Sequence, residues 1–599
     1  MHLTSHFSGR SDSMHLADLR KFLKDNQCEG MIVPRANCFQ GEDVAPFEER
    51  LAWLTGFTGS AGFAIVLLEN ACLFVDGRYT LQAQKQVDLA VFETRGFSQS
   101  EVRKWLEQHL PPNGVILYDS WLHTIQQFKE WKLLIAETGG ILRACEENPI
   151  DKVWKDKPTT LLKPVVSHPL EWSGQESIEK CQRICRILNQ AKVGNLILTS
   201  PDSIAWLLNI RGGDVRHTPI FHAFVILRAD ASVDVYVNLK KVTDSIREYS
   251  GSTVRWHAGE TFIEDLAHLE GSILLDPKQT PQKILETLGP GIKVIYGDDP
   301  CVIMRAIKNT VELGGAHTAH QRDGVAMVNF LAWLDQNVLS MDITEIDAAK
   351  CLESERRKQL NFQDLSFPSI SSAGPNAAIV HYQPTPETNS LLKRNSLYLI
   401  DSGGQYLEGT TDVTRTVAIG EPTEEQKDRY TRVLKGHIAL ASAVFPVGTT
   451  GTQLDVLARL YLWKAGLDFD HGTGHGVGSY LNVHEGPHRI SKIANSVALQ
   501  PGMIVSNEPG YYKAGEYGIR LENLITVIKL PAIGEREMLT FENLTLIPYD
   551  KKLINIKSLS LEEKDWLDAY HQKVWDSLSS NIKPEAIEWL REATTPLDS

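Results

Sequence analysis

Short, mostly apolar runs separated by turn residues recur along the first half of the chain. A Glu-Asn turn at 69–70 separates the first two runs, and each pair of runs follows an apolar segment that begins Ala-Trp-Leu, at 52–54 and 205–207. Buried strands have this composition and are bounded by such turns. The repeat predicts two copies of one α/β fold. Its strand-like runs are 63–68, 71–75, 223–227 and 233–237.

The second half of the chain has helical periodicity and clear helix starts. Apolar residues recur at helical spacing after about residue 307. Thr423 with Gln426, and Ser560 with Glu563, have the spacing of a capping box, which marks the first turn of a helix. The second of these predicted helices carries an apolar face formed by Trp566, Leu567, Tyr570 and Val574.

Two segments predict domain boundaries. Prolines recur between residues 158 and 169, and an Asp-Asp-Pro sequence occupies 298–300. Clustered turn residues of this kind interrupt regular structure. We therefore expect an α/β (α+β) protein in which two related N-terminal α/β domains precede a different C-terminal domain. The predicted domains are 1–160, 161–308 and 309–599.

Composition narrows the function classes. The 599 residues are 42% hydrophobic and 23% charged, which is typical of globular proteins. A net charge of −14 disfavours nucleic acid, which is bound through clustered Lys and Arg. Eight cysteines are too sparse for a disulfide framework. The N-terminus has no apolar signal-peptide core, and no apolar run reaches the ~18 residues of a membrane span. We expect a cytoplasmic protein that binds no membrane.

One candidate for chemistry is a pair of aspartates. Asp401 directly continues the apolar run 397–400. Burying a carboxylate costs several kcal/mol unless a cation or hydrogen-bond donors accompany it. Gly403-Gly404 allows a turn, and the chain returns through 410–415, so that a β-hairpin can place Asp401 beside Asp412. Alone, the pair is more typical of turn or surface aspartates.

A glycine-rich segment carries two histidines. His471 and His475 lie four residues apart in 471–478, where four of eight residues are glycine. Such a segment is not a stable helix, which excludes the helical zinc motif, and it lets the backbone approach another group closely. A flexible loop with surface histidines is the alternative. Glu508 ends another apolar run, 503–505, before a Pro-Gly pair.

A last segment, 517–523, predicts a strand in which Arg520 and Glu522 share one face, with a solvated face as the alternative. Together these segments supply four carboxylates and one imidazole. Four carboxylates balance two divalent cations in charge, and so oxygen-rich a set suits Mn²⁺. Two such ions can promote hydrolysis, as in aminopeptidases. The candidate ligands are Asp401, Asp412, His475, Glu508 and Glu522.

The order Asp, Asp, His, Glu, Glu resembles the pita-bread metallopeptidases, which include methionine aminopeptidase, prolidase and aminopeptidase P. The sequence is most similar to the cytosolic-type aminopeptidases P over nearly its whole length. The three-part layout, the segment 50–62 (RLAWLTGFTGSAG) and the tail 588–590 (EWL) fit this resemblance. It implies that the C-terminal domain has the pita-bread fold and is catalytic.

The resemblance also implies a role for each ligand. Asp401 would hold one metal ion, and His475 with Glu508 would hold the other. Asp412 and Glu522 would bridge the two ions. Three histidines match the family's catalytic and substrate-binding positions; they are His381, His471 and His484.

Further roles implied by the resemblance concern the reaction. Glu508 would move a proton, and Arg520 would lie near the substrate. The implied activity is hydrolysis of the N-terminal Xaa-Pro bond of peptides with proline in second position, by a hydroxide that bridges the two metal ions. The resemblance also implies a homodimer with large contacts through the C-terminal domain.

Two alternatives stay open. Prolidase cleaves Xaa-Pro dipeptides, but its family typically has one N-terminal domain rather than the two predicted here. Some relatives keep the fold as peptide-binding modules after losing metal ligands, and the presence of all five ligands argues against that alternative.

Overall fold

The computed structural model describes residues 9–159, 162–531 and 534–597. These residues form two compact units. One comprises the chain up to 167 together with 175–301, and the other comprises 168–174 together with the chain from 302 onward. The predicted boundary at 160–161 lies outside the described residues. So do the first eight residues, where the sequence predicts no signal peptide. The domain boundaries therefore stay a prediction.

The first unit contains two six-stranded sheets of the same topology. Their strand orders are β4-β3-β2-β1-β5-β6 and β12-β11-β10-β8-β13-β14, and β7 pairs with β9 in a separate two-stranded sheet. The strands are β1 (Gly30–Pro34), β2 (Gly62–Leu67), β3 (Ala71–Val75), β4 (Glu93–Gly96), β5 (Val115–Tyr118), β6 (Ile141–Ala144), β7 (Val166–Ser167), β8 (Asn195–Leu198), β9 (Ile210–Arg211), β10 (Phe224–Arg228), β11 (Val233–Val237), β12 (Val254–Ala258), β13 (Ser272–Leu275) and β14 (Lys293–Tyr296).

The two sheets repeat every pairing. Strand β1 pairs antiparallel with β2 and parallel with β5, and β8 pairs in the same way with β10 and β13. All four strand-like runs of the sequence form strands within about one residue of the expected bounds. The predicted pair of related α/β domains is confirmed, because the apolar runs that repeat in the sequence occupy equivalent places in the two sheets.

The helices up to residue 306 are interspersed with these strands along the chain. They are α1 (Gly9–Asp25), α2 (Arg50–Thr55), α3 (Thr80–Gln86), α4 (Gln99–His109), α5 (Ile125–Glu137), α6 (Pro149–Val153), α7 (Leu170–Ser173), α8 (Ser177–Gln190), α9 (Pro201–Leu208), α10 (Asp244–Ser250), α11 (Phe262–Ala267), α12 (Gln282–Thr287) and α13 (Pro300–Ala306). Of these helices, α7 and most of α13 belong to the second unit.

The second unit combines antiparallel sheets with long helices. Its sheets have the orders β15-β18-β19, β16-β17-β20, β21-β28-β27-β24-β22-β23 and β25-β26. The strands are β15 (Phe362–Leu365), β16 (Ile370–Ala373), β17 (Ser396–Ser402), β18 (Gly404–Tyr406), β19 (Gly409–Thr410), β20 (Val413–Ile419), β21 (Phe445–Pro446), β22 (Gly474–Gly476), β23 (Glu485–Ile490), β24 (Ile504–Asn507), β25 (Gly510–Lys513), β26 (Tyr517–Arg520), β27 (Asn523–Lys529) and β28 (Met538–Asn543).

Two helices of this unit begin at the residues that the sequence predicts. Thr423 and Ser560 cap α16 and α18, and in both cases the capping box is complete. In α18 the Trp566 ring stacks on Tyr570 at 5.5 Å, and this face packs into the core of its own unit. The long helices are α14 (Thr310–Asn337), α15 (Glu345–Arg356), α16 (Glu424–Ala441), α17 (Gly451–Trp463), α18 (Leu561–Leu578) and α19 (Pro584–Thr594).

Two local expectations differ from the structure. Gly403 is not in a turn, because the chain runs on into β18 before it reverses. A Cβ at Gly403 would lie 1.9 Å from the Thr411 carbonyl oxygen, so glycine is required there by close packing. The predicted strand 517–523 is interrupted between β26 and β27. Within the described residues, no helix combines the length and apolar character needed to span a bilayer.

Candidate metal centre

Two neighbouring strands bring the aspartates together. Strands β17 and β20 are antiparallel, with Asp401 opposite Thr414. Asp412 immediately precedes β20, and both carboxylates are buried. The sheet register therefore places the two side chains at the same end of this strand pair, as the predicted hairpin requires.

The glycine-rich segment supplies a histidine to the same place. His475 lies in the middle of β22, with its Nε2 atom 3.5 Å from Oδ2 of Asp412 and 3.6 Å from Oε1 of Glu508. A Cβ at Gly474 would lie 1.9 Å from the Ser506 carbonyl oxygen, so this glycine allows the close approach of β22 and β24. Three residues of this segment, Gly474–Gly476, form a strand, and the ring of His475 lies against the carboxylates rather than on a flexible surface loop.

Glu522 joins the cluster through a threonine. The Thr414 hydroxyl donates to Oε2 of Glu522 over 2.7 Å and accepts from Nε of Arg520 over 3.1 Å. Nη2 of Arg520 donates to Oδ2 of Asp401 over 2.6 Å. One ligand atom each from Asp412, His475 and Glu522 lies within 4.8 Å of the other two. The alternative of a solvated face for Arg520 and Glu522 is therefore excluded, since both are buried.

The electrostatics of the cluster require positive charge. Burial raises the pKa of Asp401 to about 7, opposed by Arg520 and reinforced by Asp412. Burial also raises the pKa of Glu508 and of Glu522, in part because the other carboxylates are near. In the part of the chain that the structure describes, Oδ1 of Asp401 and Oδ1 of Asp412 have no hydrogen-bond partner. Two divalent cations fit this donor set in charge and in ligand type.

The three other histidines differ in their surroundings. His471 is buried, and its ring nitrogens lie 2.8 Å from the Gly472 carbonyl oxygen and from the Tyr512 hydroxyl. His484 is exposed, and its ring lies edge-on to His475 with 4.4 Å between centroids. His381 is partly exposed and follows the short 3₁₀ helix Gly374–Ala378.

Comparisons with known proteins match this architecture part by part. The model of metallopeptidase family M24 matches residues 315–529, and the C-terminal region of peptidase M24 matches 537–597. The creatinase/prolidase N-terminal domain matches twice, at 15–144 and 156–312. Aminopeptidase P1 from Arabidopsis thaliana is 38% identical over 97% of this chain and 99% of its own length. The chain belongs to the aminopeptidase P family of M24 metallopeptidases.

Further relatives agree with this membership. A probable Xaa-Pro aminopeptidase P from Paracoccidioides brasiliensis (strain Pb03) is 38% identical over 98% of this chain and 99% of its own. The crystal structure of X-prolyl aminopeptidase from Caenorhabditis elegans, a cytosolic enzyme with a di-nuclear active site, has a TM-score of 0.93 at 32% identity. It covers 98% of this chain and 100% of its own. The predicted fold, with its C-terminal pita-bread domain, is confirmed.

A prolidase structure shares only part of this architecture. The enzyme from Pyrococcus horikoshii has a TM-score of 0.50 at 24% identity and covers 62% of this chain and 99% of its own. This likeness shows a common fold. It does not extend over the full chain, unlike the likeness to the aminopeptidase.

Sequence reasoning missed two residues of the site. Thr414 joins Glu522 to Arg520, and Tyr512 accepts from Nη1 of Arg520 over 2.8 Å while it contacts His471. Burial raises the pKa of Tyr512 to about 12. Tyr512 lies in β25, which forms a hairpin with β26, the strand that carries Arg520. A prediction of this hairpin would have placed Tyr512 near the site. The assignment of Arg520 to substrate stays a prediction, because its guanidinium donates to Asp401, Thr414, Tyr512 and the Val380 carbonyl.

Proposed function

We propose that the chain is an Xaa-Pro aminopeptidase, a metal-dependent hydrolase that removes the first residue from peptides with proline in second position. The observation that carries this proposal is the cluster of buried Asp412 and Glu522 with His475, beside buried Asp401 and partly buried Glu508, in a chain that matches aminopeptidases P over at least 97% of its length.

We further propose how the residues share two divalent cations. Asp401 would hold one ion, and His475 with Glu508 would hold the other. Asp412 and Glu522 would contribute a carboxylate to both. Manganese is the proposed metal, because carboxylate oxygens outnumber the single imidazole nitrogen. When bound, two such ions supply Lewis acidity and activated water for hydrolysis near neutral pH.

The remaining side chains bind substrate and move protons. Glu508 is the proposed proton carrier, since Oε1 lies 3.6 Å from His475 and Oε2 lies 3.9 Å from His471. His484, whose exposed ring lies 4.4 Å from the ring of His475 (between centroids), is proposed to contact the scissile carbonyl. His381, His471 and Arg520 complete the proposed substrate-binding set.

The prolidase alternative differs in substrate length. A panel of Xaa-Pro dipeptides and Xaa-Pro-Xaa tripeptides, assayed with and without added Mn²⁺, separates the two activities. The aminopeptidase proposal expects cleavage of the tripeptides and release of the first residue. Cleavage of dipeptides alone would favour prolidase. No cleavage by a protein that has bound two metal ions would favour the non-catalytic peptide-binding alternative.

We also propose a homodimer through the second unit. Helix α17 carries Val456, Leu460 and Trp463, which are 40%, 37% and 45% exposed. These positions recur at helical spacing and form one apolar stripe on the helix. A contiguous exposed apolar surface is typical of protein interfaces. The cytoplasm is the proposed location, supported by eight free cysteines and by the cytosolic nematode relative.

A further inference from the structure

A buried carboxylate lies behind the segment that carries His381. Glu345 is the first residue of α15, and its side chain is fully buried. Four groups donate hydrogen bonds to its two oxygens. They are the Ala373 amide at 2.7 Å, Nδ2 of Asn376 at 2.9 Å, the Tyr382 hydroxyl at 3.0 Å and the Ser390 amide at 2.9 Å.

The donor residues lie on both sides of His381 in the sequence. Asn376 precedes it by five residues, and Tyr382 follows it directly. Nδ2 of Asn376 also donates to the Tyr382 hydroxyl over 3.0 Å, so these two residues contact each other as well as Glu345. Hydrogen bonds to an ionised carboxylate are roughly twice as strong as neutral ones. A helix N-terminus further favours a carboxylate in its first turn.

This segment also contacts the candidate metal centre. The Val380 carbonyl accepts from Nη1 of Arg520 over 3.4 Å, and Arg520 in turn pairs with Asp401. Strand β16, which ends at Ala373, pairs with the strand of Asp401. Connecting segments are ordinarily more mobile than the elements that they join. Glu345 therefore holds in place the connecting segment that carries His381, whose proposed role requires an accurate position.

We propose that Glu345 is a positioning residue that acts through Tyr382 and Asn376 to hold His381 toward the substrate. The proposal rests on the proposed function, because that function gives His381 its role. It also gives a role to the asparagine of the Ser-Ala-Gly-Pro-Asn segment at 372–376, because Asn376 donates a hydrogen bond to the Glu345 carboxylate. Glu345 itself is far from this segment in sequence and has no motif of its own.

A double-mutant cycle tests the proposal. Tyr382→Phe removes one hydroxyl and leaves the ring, and we expect it to lower kcat/KM about tenfold or more, as for one hydrogen bond to a charged group. In a His381→Ala background the same change should have little effect, because the histidine that it positions is gone. Equal losses in both backgrounds, or wild-type turnover in Tyr382→Phe, would overturn the proposal. Tyr430→Phe is the matched control, since it removes a buried hydroxyl that binds the Asp550 amide, and it should leave turnover unchanged.

Hydrogen–deuterium exchange supplies a readout that needs no activity. Glu345→Gln should raise exchange across 373–390 and leave α16 protected, with the metal content equal to that of the wild-type protein. Unchanged exchange in this segment would overturn the proposal. This result decides even if His381→Ala has no measurable turnover and the double-mutant cycle cannot be completed. A wild-type protein that cleaves no Xaa-Pro peptide would refute the proposed function instead, and the exchange result would still decide whether Glu345 holds the segment.

Discussion

Nη2 of Arg459 donates a hydrogen bond of 2.9 Å to the carbonyl oxygen of His471. The same guanidinium binds Asp455 at 2.7 Å, and Asp455 accepts from the Thr473 hydroxyl at 2.5 Å. All of these contacts are buried. Helix α17 therefore holds the segment that leads into His475 at two points, the main-chain carbonyl of His471 and the hydroxyl of Thr473.

We expect this anchor to matter for turnover. Thr473→Val is nearly isosteric and removes the donor to Asp455, so the segment with His471 loses one of its fixed points. Misplacement of a catalytic group by about 1 Å can cost up to about a hundredfold. We predict a fall in kcat/KM of about tenfold or more for Thr473→Val, and near wild-type kinetics for Thr473→Ser, which keeps the hydroxyl.

The matched control for this prediction is Thr431→Val. Its hydroxyl is also buried and donates to a backbone carbonyl, that of Lys427, at 2.7 Å, within α16. This variant should lose some stability but keep its kinetic constants. If Thr473→Val were as active as the wild-type protein, the hydroxyl would have no part in placing the segment.

Two variants should distinguish the loss of bound metal from the loss of turnover. Asp412→Asn neutralises one of four anions that face two cations, so we predict a metal-poor protein. His484→Ala lies outside the ligand set and should keep both ions while turnover falls about 10²–10³-fold, as for loss of one stabilising group. Plasma emission analysis and steady-state kinetics measure the two outcomes. Two ions per chain in Asp412→Asn would show that this carboxylate is not a required ligand.

Removal of the metal should abolish activity. The buried carboxylates repel one another, and Arg520 supplies one positive charge where two divalent cations supply four. We predict that chelation eliminates cleavage of Xaa-Pro-Xaa peptides and that Mn²⁺ restores it better than softer divalent ions do. Activity that persists in a sample shown to be metal-free would contradict the proposed chemistry.

Local sequence signals predicted much of the site. Asp401 and Asp412 were expected to meet because each adjoins a strand-like run, and the register of β17 with β20 brings them together. The capping residues Thr423 and Ser560 were found for the same reason, since the whole signal lies within four residues. Such features depend on short-range periodicity and on the chemistry of single side chains.

Contacts between distant segments could not be predicted in this way. Thr414 meets Glu522 across 108 residues, and Tyr382 meets Glu345 across 37. Neither pair has a spacing that a helix or strand period would reveal. The interruption between β26 and β27 was missed because residues 517–523 alternate like one strand, whereas the tertiary structure places the two parts in different sheets.

The apolar stripe on α17 gives a prediction about assembly. Leu460→Asp places a charge in the middle of the stripe, so we expect a dimer to dissociate to the monomer mass of 67.0 kDa in sedimentation at micromolar concentration. Leu561→Asp is the control, because Leu561 is 74% exposed at the start of α18 and lies outside the stripe. A wild-type protein that sediments as a monomer would refute the proposed homodimer.

A buried histidine gives a prediction about pH. Burial, with smaller contributions from Lys551 and Arg415, lowers the pKa of His571 to about 3. Its Nε2 atom accepts from the Tyr549 amide over 3.1 Å, and protonation of that nitrogen would break the bond. In the unfolded chain the pKa is about 6.5. Between these two values the unfolded state binds the proton and the folded state does not, so the free energy of unfolding must fall as pH falls from about 6.5 toward 3.

The variant that tests this sign is His571→Gln, which keeps an acceptor for the Tyr549 amide and removes the titration. We predict similar stability at pH 8 for the two proteins. Below pH 6 the decline should be shallower in the variant by up to about 1.4 kcal/mol per pH unit, the slope for one proton. Urea unfolding at pH 8, 6 and 4.5 measures this difference. Parallel pH profiles would mean that His571 takes up no proton on unfolding, and its neutral state in the folded protein would then not be a source of acid lability.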